Sequence, residues 1–134
     1  MTSLFMLDTN IVSDLARHPQ GRVAERIASV GPEAICVSVI TAAELLYGCA
    51  KKGSPKLLTQ IGAILEAIPV LAFDFPEAGE YAVIRLELER EGKLIGANDL
   101  LIAAHAVALE AVLVTANARE FGRVRGLAME NWLV

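Results

Sequence analysis

Four short apolar runs, nearly uninterrupted by polar side chains and separated by longer stretches of helical periodicity, limit what this chain can fold into more than any other feature. Residues 3–7 (Ser-Leu-Phe-Met-Leu), 34–37 (Ala-Ile-Cys-Val), 70–73 (Val-Leu-Ala-Phe) and 112–115 (Val-Leu-Val-Thr) read as strands, with residues 127–130 as a short fifth. A strand with one wet face alternates apolar and polar residues. Unbroken apolar runs instead fit strands covered on both faces, the condition of a parallel sheet between helical layers. The intervening segments predict helices over residues 9–16, 22–29, 40–51, 55–67, 76–91 and 97–110. Gly53 and Pro69 end the third and fourth, and Pro76 sits in the first turn of the fifth, where its missing N–H costs nothing. The expectation is one α/β domain over residues 1–134, three layers deep (α/β/α), with a mainly parallel sheet of four or five strands.

Composition narrows the function. With 54% hydrophobic and 21% charged residues the chain is not disordered, and with only 5% aromatics its core must be aliphatic. A net charge of −4 argues against non-specific coating of nucleic acid, which is driven by neutralising phosphates, but not against a nuclease with an acidic site. Cys36 and Cys49 form no CxxC pair, and His18 and His105 are remote, so no zinc site is evident. Both cysteines and His105 are expected to be packed side chains, while Tyr47, Phe75 and Trp132 fit the core as readily as base stacking. No apolar stretch approaches the roughly 18 residues of a membrane span, which predicts a soluble, cytoplasmic protein without membrane partners.

Four polar positions call for a reason. Asp8 directly follows the first strand and Asn117 closely follows the fourth, so both face the rim where open parallel sheets bind ligands. Helix capping is the ordinary alternative for each. Glu44 stands among apolar neighbours in Val-Ile-Thr-Ala-Ala-Glu-Leu-Leu-Tyr, where burying an unpaired carboxylate is expensive. Asp99 opens a hydrophobic helix, a position the helix dipole favours by about 0.3–1 kcal/mol. Three such carboxylates about 5 Å apart would repel by roughly 3 kcal/mol per pair at an effective dielectric near 20. A cation or shared protons must offset that. Oxygen ligands without His or Cys select hard ions, Mg2+ or Mn2+, which suit phosphoryl chemistry.

The whole chain resembles a PIN domain, and more closely a VapC-type ribonuclease toxin of a type II toxin–antitoxin pair. The blocks that carry the resemblance are Leu7-Asp8-Thr9-Asn10, residues 38–48, residues 95–106, and residues 113–121 with Glu130-Asn131-Trp132. It implies a Mg2+-dependent endoribonuclease in which Mn2+ substitutes. Asp8, Glu44 and Asp99 match the acidic metal site, Asn117 completes the catalytic set, and Asn10 and Thr115 support it. Many relatives carry Asp where this chain has Asn117, an amide that coordinates without charge, so the resemblance leaves one or two metals open, with Glu120 the candidate compensation. The resemblance further implies an RNA substrate, tRNA favoured, a small VapB-like antitoxin that places a basic side chain in the cleft, and a homodimer formed through the third and fourth helices. Lys51, Lys52 and Lys56 on one side, and Arg119, Arg123 and Arg125 on the other, are candidate RNA contacts. A non-catalytic RNA- or protein-binding PIN module is the alternative. A phosphoacceptor signalling domain fits poorly, because the first strand ends in one acid and the fourth is followed by no Lys.

Overall fold

The computed structural model describes residues 3–134. Its strands are β1 (Phe5–Leu7), β2 (Ile35–Ser38), β3 (Val70–Leu71), β4 (Val112–Val114) and β5 (Ala128–Glu130). They form one sheet in the order β3-β2-β1-β4-β5, every neighbouring pair parallel. The helices are α1 (Thr9–Arg17), α2 (Arg22–Val30), α3 (Val39–Lys52), α4 (Pro55–Ala67), α5 (Phe75–Arg90), α6 (Ala97–Ala108) and α7 (Ala118–Phe121).

Successive strand residues point to opposite faces, and this alternation divides the core. Met6, Cys36 and Leu113 pack in one cluster with Ile84 and Leu88 of α5, Leu100 and Ile102 of α6, and Phe121 of α7. Leu7, Ile35, Val37 and Val114 pack in the other with Ile11 and Val12 of α1, Leu45 of α3, Ile61 of α4 and Trp132. Each such buried aliphatic side chain contributes about 1.5–3 kcal/mol. Ala103, Ala104 and Ala106, all buried, carry no bulk to hold α6 away from the core it packs into.

From β1 the chain steps through β2 to β3, then returns to the other side of β1 for β4 and β5. The order therefore reverses between β1 and β4, and the crevice outside their carboxyl ends is where such sheets bind ligands. The residues that follow these two strands are Asp8 and Thr115.

The expected layers and parallel sheet are present, with local corrections. β3 stops at Leu71 rather than Phe73, and its Val70 is exposed, as are Ala128 and Glu130 of β5. Edge strands have only one neighbour to bury them, so the two-sided burial read from the sequence holds for the three central strands. A 3-10 turn (Pro32–Ala34) and the four-residue α7 were not expected, since neither is long enough to show a helical period. Helix α5 starts at Phe75, where Asp74 and Glu77 form a capping box. Of the three aromatics left open between core and base stacking, Tyr47 is 67% and Phe75 90% exposed, whereas Trp132 is buried. The buried face of α3 is set by Thr41, Ala42, Leu45 and Cys49, which turns Tyr47 outward. Phe75 stands at the first position of α5, clear of both core clusters. Cys36 and Cys49 are free and buried as expected. No helix among the described residues is long and apolar enough to cross a membrane.

Candidate active site

Asp8 is fixed from three sides. Its backbone N–H donates to the Val114 carbonyl at 2.9 Å, which ties the end of β1 to β4. As N-cap of α1 it accepts from the Thr9 N–H at 2.8 Å on Oδ1, and on Oδ2 it accepts from the Thr115 hydroxyl at 2.8 Å. The side chain is buried, and burial raises its pKa against the opposing pull of the Thr115 and Thr9 hydrogen bonds; the Glu44 charge adds to the rise.

Glu44 is carried in by α3, which begins where Ser38 Oγ accepts from the Ile40 N–H at 3.1 Å. Ser38 is itself buried and hydrogen-bonded to His105 Nδ1 at 2.8 Å, so the start of α3 is pinned to α6. The Glu44 carboxylate is half-buried and held at both oxygens, by the Thr9 hydroxyl at 2.6 Å and by Asn98 Nδ2 at 3.2 Å. Asp99 lies in the first turn of α6 and is half-buried. Burial, a hydrogen bond with Glu120 and the like charges of Asp8, Glu120 and Glu44 push its pKa up to about 7. Glu120 moves the other way, chiefly because it shares that bond with Asp99. One carboxylate of this pair thus keeps its proton near neutrality while the other stays ionised.

After β4, the Asn117 N–H donates to the Thr115 hydroxyl oxygen at 3.0 Å, and Asn117 Nδ2 donates to Glu120 Oε2 at 3.3 Å. Asn10 Oδ1 accepts from the Ala116 N–H at 3.3 Å, closing the loop over α1.

These side chains meet in one cleft of about 460 Å3 lined by Asp8, Thr9, Asn10, Ser13, Arg17, Glu44, Asp99 and Asn117. Four positions singled out in the sequence, from four separate segments, therefore come together. Thr115 lies beneath them, buried. Among the described residues none of Asp8, Glu44 and Asp99 has an ion-pair partner. Nor do any three His, Cys, Asp or Glu side chains among the described residues stand close enough to hold a metal ion between them as they are placed; the acids line the walls of an open cleft. That donor set fits Mg2+, which binds through one or two carboxylates and keeps several waters. A divalent cation would relieve the like-charge repulsion that adds to burial and the Glu120 hydrogen bond in raising Asp99.

The basic candidates separate. Lys51, Lys56 and Arg119 are exposed and line no part of the cleft. Lys52 borders an adjoining cavity with Thr9, Ser13 and Glu44. Arg125 is paired with Glu91 at 2.7 Å, and Arg123 donates to the Leu94 carbonyl at 3.3 Å. His105 is fully buried and packed edge-on to Phe73, with burial lowering its pKa. Sequence reasoning missed Thr9, Asn98, Ser13 and Arg17. A helical face at positions 9–10, 13 and 17 was a local signal for the first helix; nothing local pointed to Asn98, whose partner is in another helix.

An open parallel sheet with three acids at its point of reversal defines a class, and the comparisons agree on which. The PIN domain family model matches residues 5–127, and the chain belongs to that family. Within it the similarity is to VapC proteins. Ribonuclease VapC2 of Rickettsia felis is 38% identical over 131 residues, covering 96% of this chain and 98% of that protein. The tRNA(fMet)-specific endonuclease VapC of Shigella flexneri is 39% identical over 129 residues, covering 96% and 97%. A chain of the VapBC2 crystal structure from Rickettsia felis, bound to a DNA fragment from their promoter, superimposes with a TM-score of 0.88 at 34% identity, covering 96% of this chain and 98% of that one.

Proposed function

We propose that this protein is a Mg2+-dependent endoribonuclease, the toxin of a toxin–antitoxin pair, that hydrolyses RNA phosphodiester bonds with tRNA as the favoured substrate. The observation that carries this reading is the meeting of Asp8, Glu44 and Asp99, without cationic partners, on one cleft at the reversal of the sheet. Asp8 and Asp99 would hold the ion directly, with Glu44 as ligand or as the group that orients water. The ion supplies phosphate polarisation and a lowered pKa for water. The chain supplies the rest. Thr115 and the Thr9 N–H aim Asp8, and Thr9 and Asn98 fix both oxygens of Glu44. Water adds to phosphorus in line, the P–O3′ bond breaks, and the 3′ oxygen takes a proton, leaving 3′-hydroxyl and 5′-phosphate ends.

The tRNA preference draws on the named specificity of the Shigella relative. A small VapB-like antitoxin is supported by the VapBC complexes among similar structures, which include one from Salmonella typhimurium. Self-association through α3 and α4 is supported by the exposed Leu46, Tyr47 and Leu58 there. The test is cleavage of end-labelled tRNA by the purified protein with Mg2+, with Mn2+ and with chelator, beside Asp8→Asn. Metal-dependent cutting that is lost in the variant and leaves 5′-phosphate ends is expected. A second reading, a binding module without catalysis, is favoured by Asn117, an uncharged amide that donates to Glu120. RNA binding with no metal-dependent cutting would establish it instead.

A further inference from the structure

We propose that Arg17 clamps a backbone phosphate of the RNA beside the point of cleavage, an inference that rests on the ribonuclease reading. Helix α1 turns one polar face to the cleft, because Asn10, Ser13 and Arg17 are spaced three and four residues apart and all line it. Arg17 occupies the last turn of α1, on the order of 13 Å along the helix from Asp8 at about 1.5 Å per residue. It is the sole cationic side chain among the described residues that line the cleft, where three others are carboxylates. Among the described residues it enters no ion pair, although it lines the same cleft as those acids.

The electrostatics give this unpaired cation a task. A polyanion approaching an acidic cleft is repelled until a cation is met, and that cation must lie beside the acids rather than among them. A guanidinium presents a rigid fork of donors matched to two phosphate oxygens, which an ammonium lacks. Lys52 lines a separate, adjoining cavity that shares Thr9, Ser13 and Glu44 with the cleft, so a second cation stands next door to the one on its wall. Arg123 and Arg125, by contrast, are already engaged with Leu94 and Glu91.

The experiment titrates a fluorescent RNA stem-loop against Asp99→Asn protein, which prevents turnover, with and without Arg17→Ala or Arg17→Lys, from about 50 to 200 mM salt. Arg17→Ala weakens binding about tenfold, and the slope of log K against log salt becomes less negative by about 0.7, the value for one phosphate contact on a single strand. Arg17→Lys keeps the slope and loses only part of the affinity, because charge remains and the fork does not. Thermal melting of each variant verifies folding. A slope unchanged by Arg17→Ala, or lost equally in Arg17→Lys, overturns the clamp while leaving the ribonuclease reading intact. Failure of the parent to bind RNA, together with no cleavage by the unsubstituted protein, overturns the ribonuclease reading and the clamp with it.

Discussion

Replacing Asp99 by Asn is expected to stabilise the metal-free protein while removing most of the stability that Mg2+ adds. Asp99 has a pKa of about 7 in the fold against an ordinary value of 3.8. Between those values the folded protein binds a proton that the unfolded chain has released, so stability falls as pH rises through the window and the loss is complete above about 7. The gap corresponds to ~4 kcal/mol at 1.36 kcal/mol per pH unit. Asp99 is only half-buried, so solvent screening reduces this to roughly half. Losing an anion from the first turn of α6 returns about 0.3–1 kcal/mol. The net gain at pH 8 is ~1–2 kcal/mol, or about 5 °C in Tm for a domain of this size. The Asn amide can still donate to Glu120, as the protonated Asp99 does. The assay is thermal unfolding in chelator at pH 5 and pH 8, then with added Mg2+. The gap between variant and wild type should be small at pH 5 and widest at pH 8, and Mg2+ should raise wild type far more than the variant. A variant no more stable than wild type at pH 8, or a difference independent of pH, would refute the electrostatic reasoning; equal Mg2+ gains would separate Asp99 from the metal.

Glu44→Gln should lower RNA cleavage by orders of magnitude while the fold is retained, with a modest change in Tm because the amide can accept only one of the two hydrogen bonds the carboxylate receives; an active variant removes Glu44 from the chemistry. Thr9→Val keeps the shape of the α1 start but frees Glu44 Oε1, and cleavage should drop about 10–100-fold, the usual cost of losing a group that orients a ligand. Full activity in a single-turnover assay would make that bond incidental. His105→Ala opens space beneath α6 and leaves the buried Ser38 hydroxyl with only the Ile40 N–H, which should cost about 3 kcal/mol in chemical denaturation. A loss below about 1 kcal/mol would mean that the clasp between α3 and α6 is not a structural requirement.

How much of this was readable beforehand depended on the range of each interaction. Asp8 and Asn117 were legible because the ends of apolar runs mark the rim of a parallel sheet. Glu44 was legible because a carboxylate amid Ile40, Ala42, Leu45 and Leu46 needs a reason. The groups that hold Glu44 were not, because Thr9 and Asn98 lie 35 and 54 residues away and look like ordinary helix-start polar residues. The basic candidates were chosen by clustering in sequence, which says nothing about facing the cleft. Only Lys52 borders its surroundings, while the isolated Arg17 lies on its wall. Helix α7 escaped notice because four residues complete barely one turn.

The three residues of β1 leave no slack. Met6 serves one helical layer and Leu7 the other, and the very next side chain is Asp8. Inserting or deleting a single residue there would exchange the two core faces and swing the acid to the wrong side in one stroke. The strand that anchors the interior is also the one that aims the chemistry, so drift at this spot is met with loss of both at once. Length variation among descendants of this chain should therefore gather in the outer connections, such as residues 18–21, and spare the passage from Phe5 to Asn10.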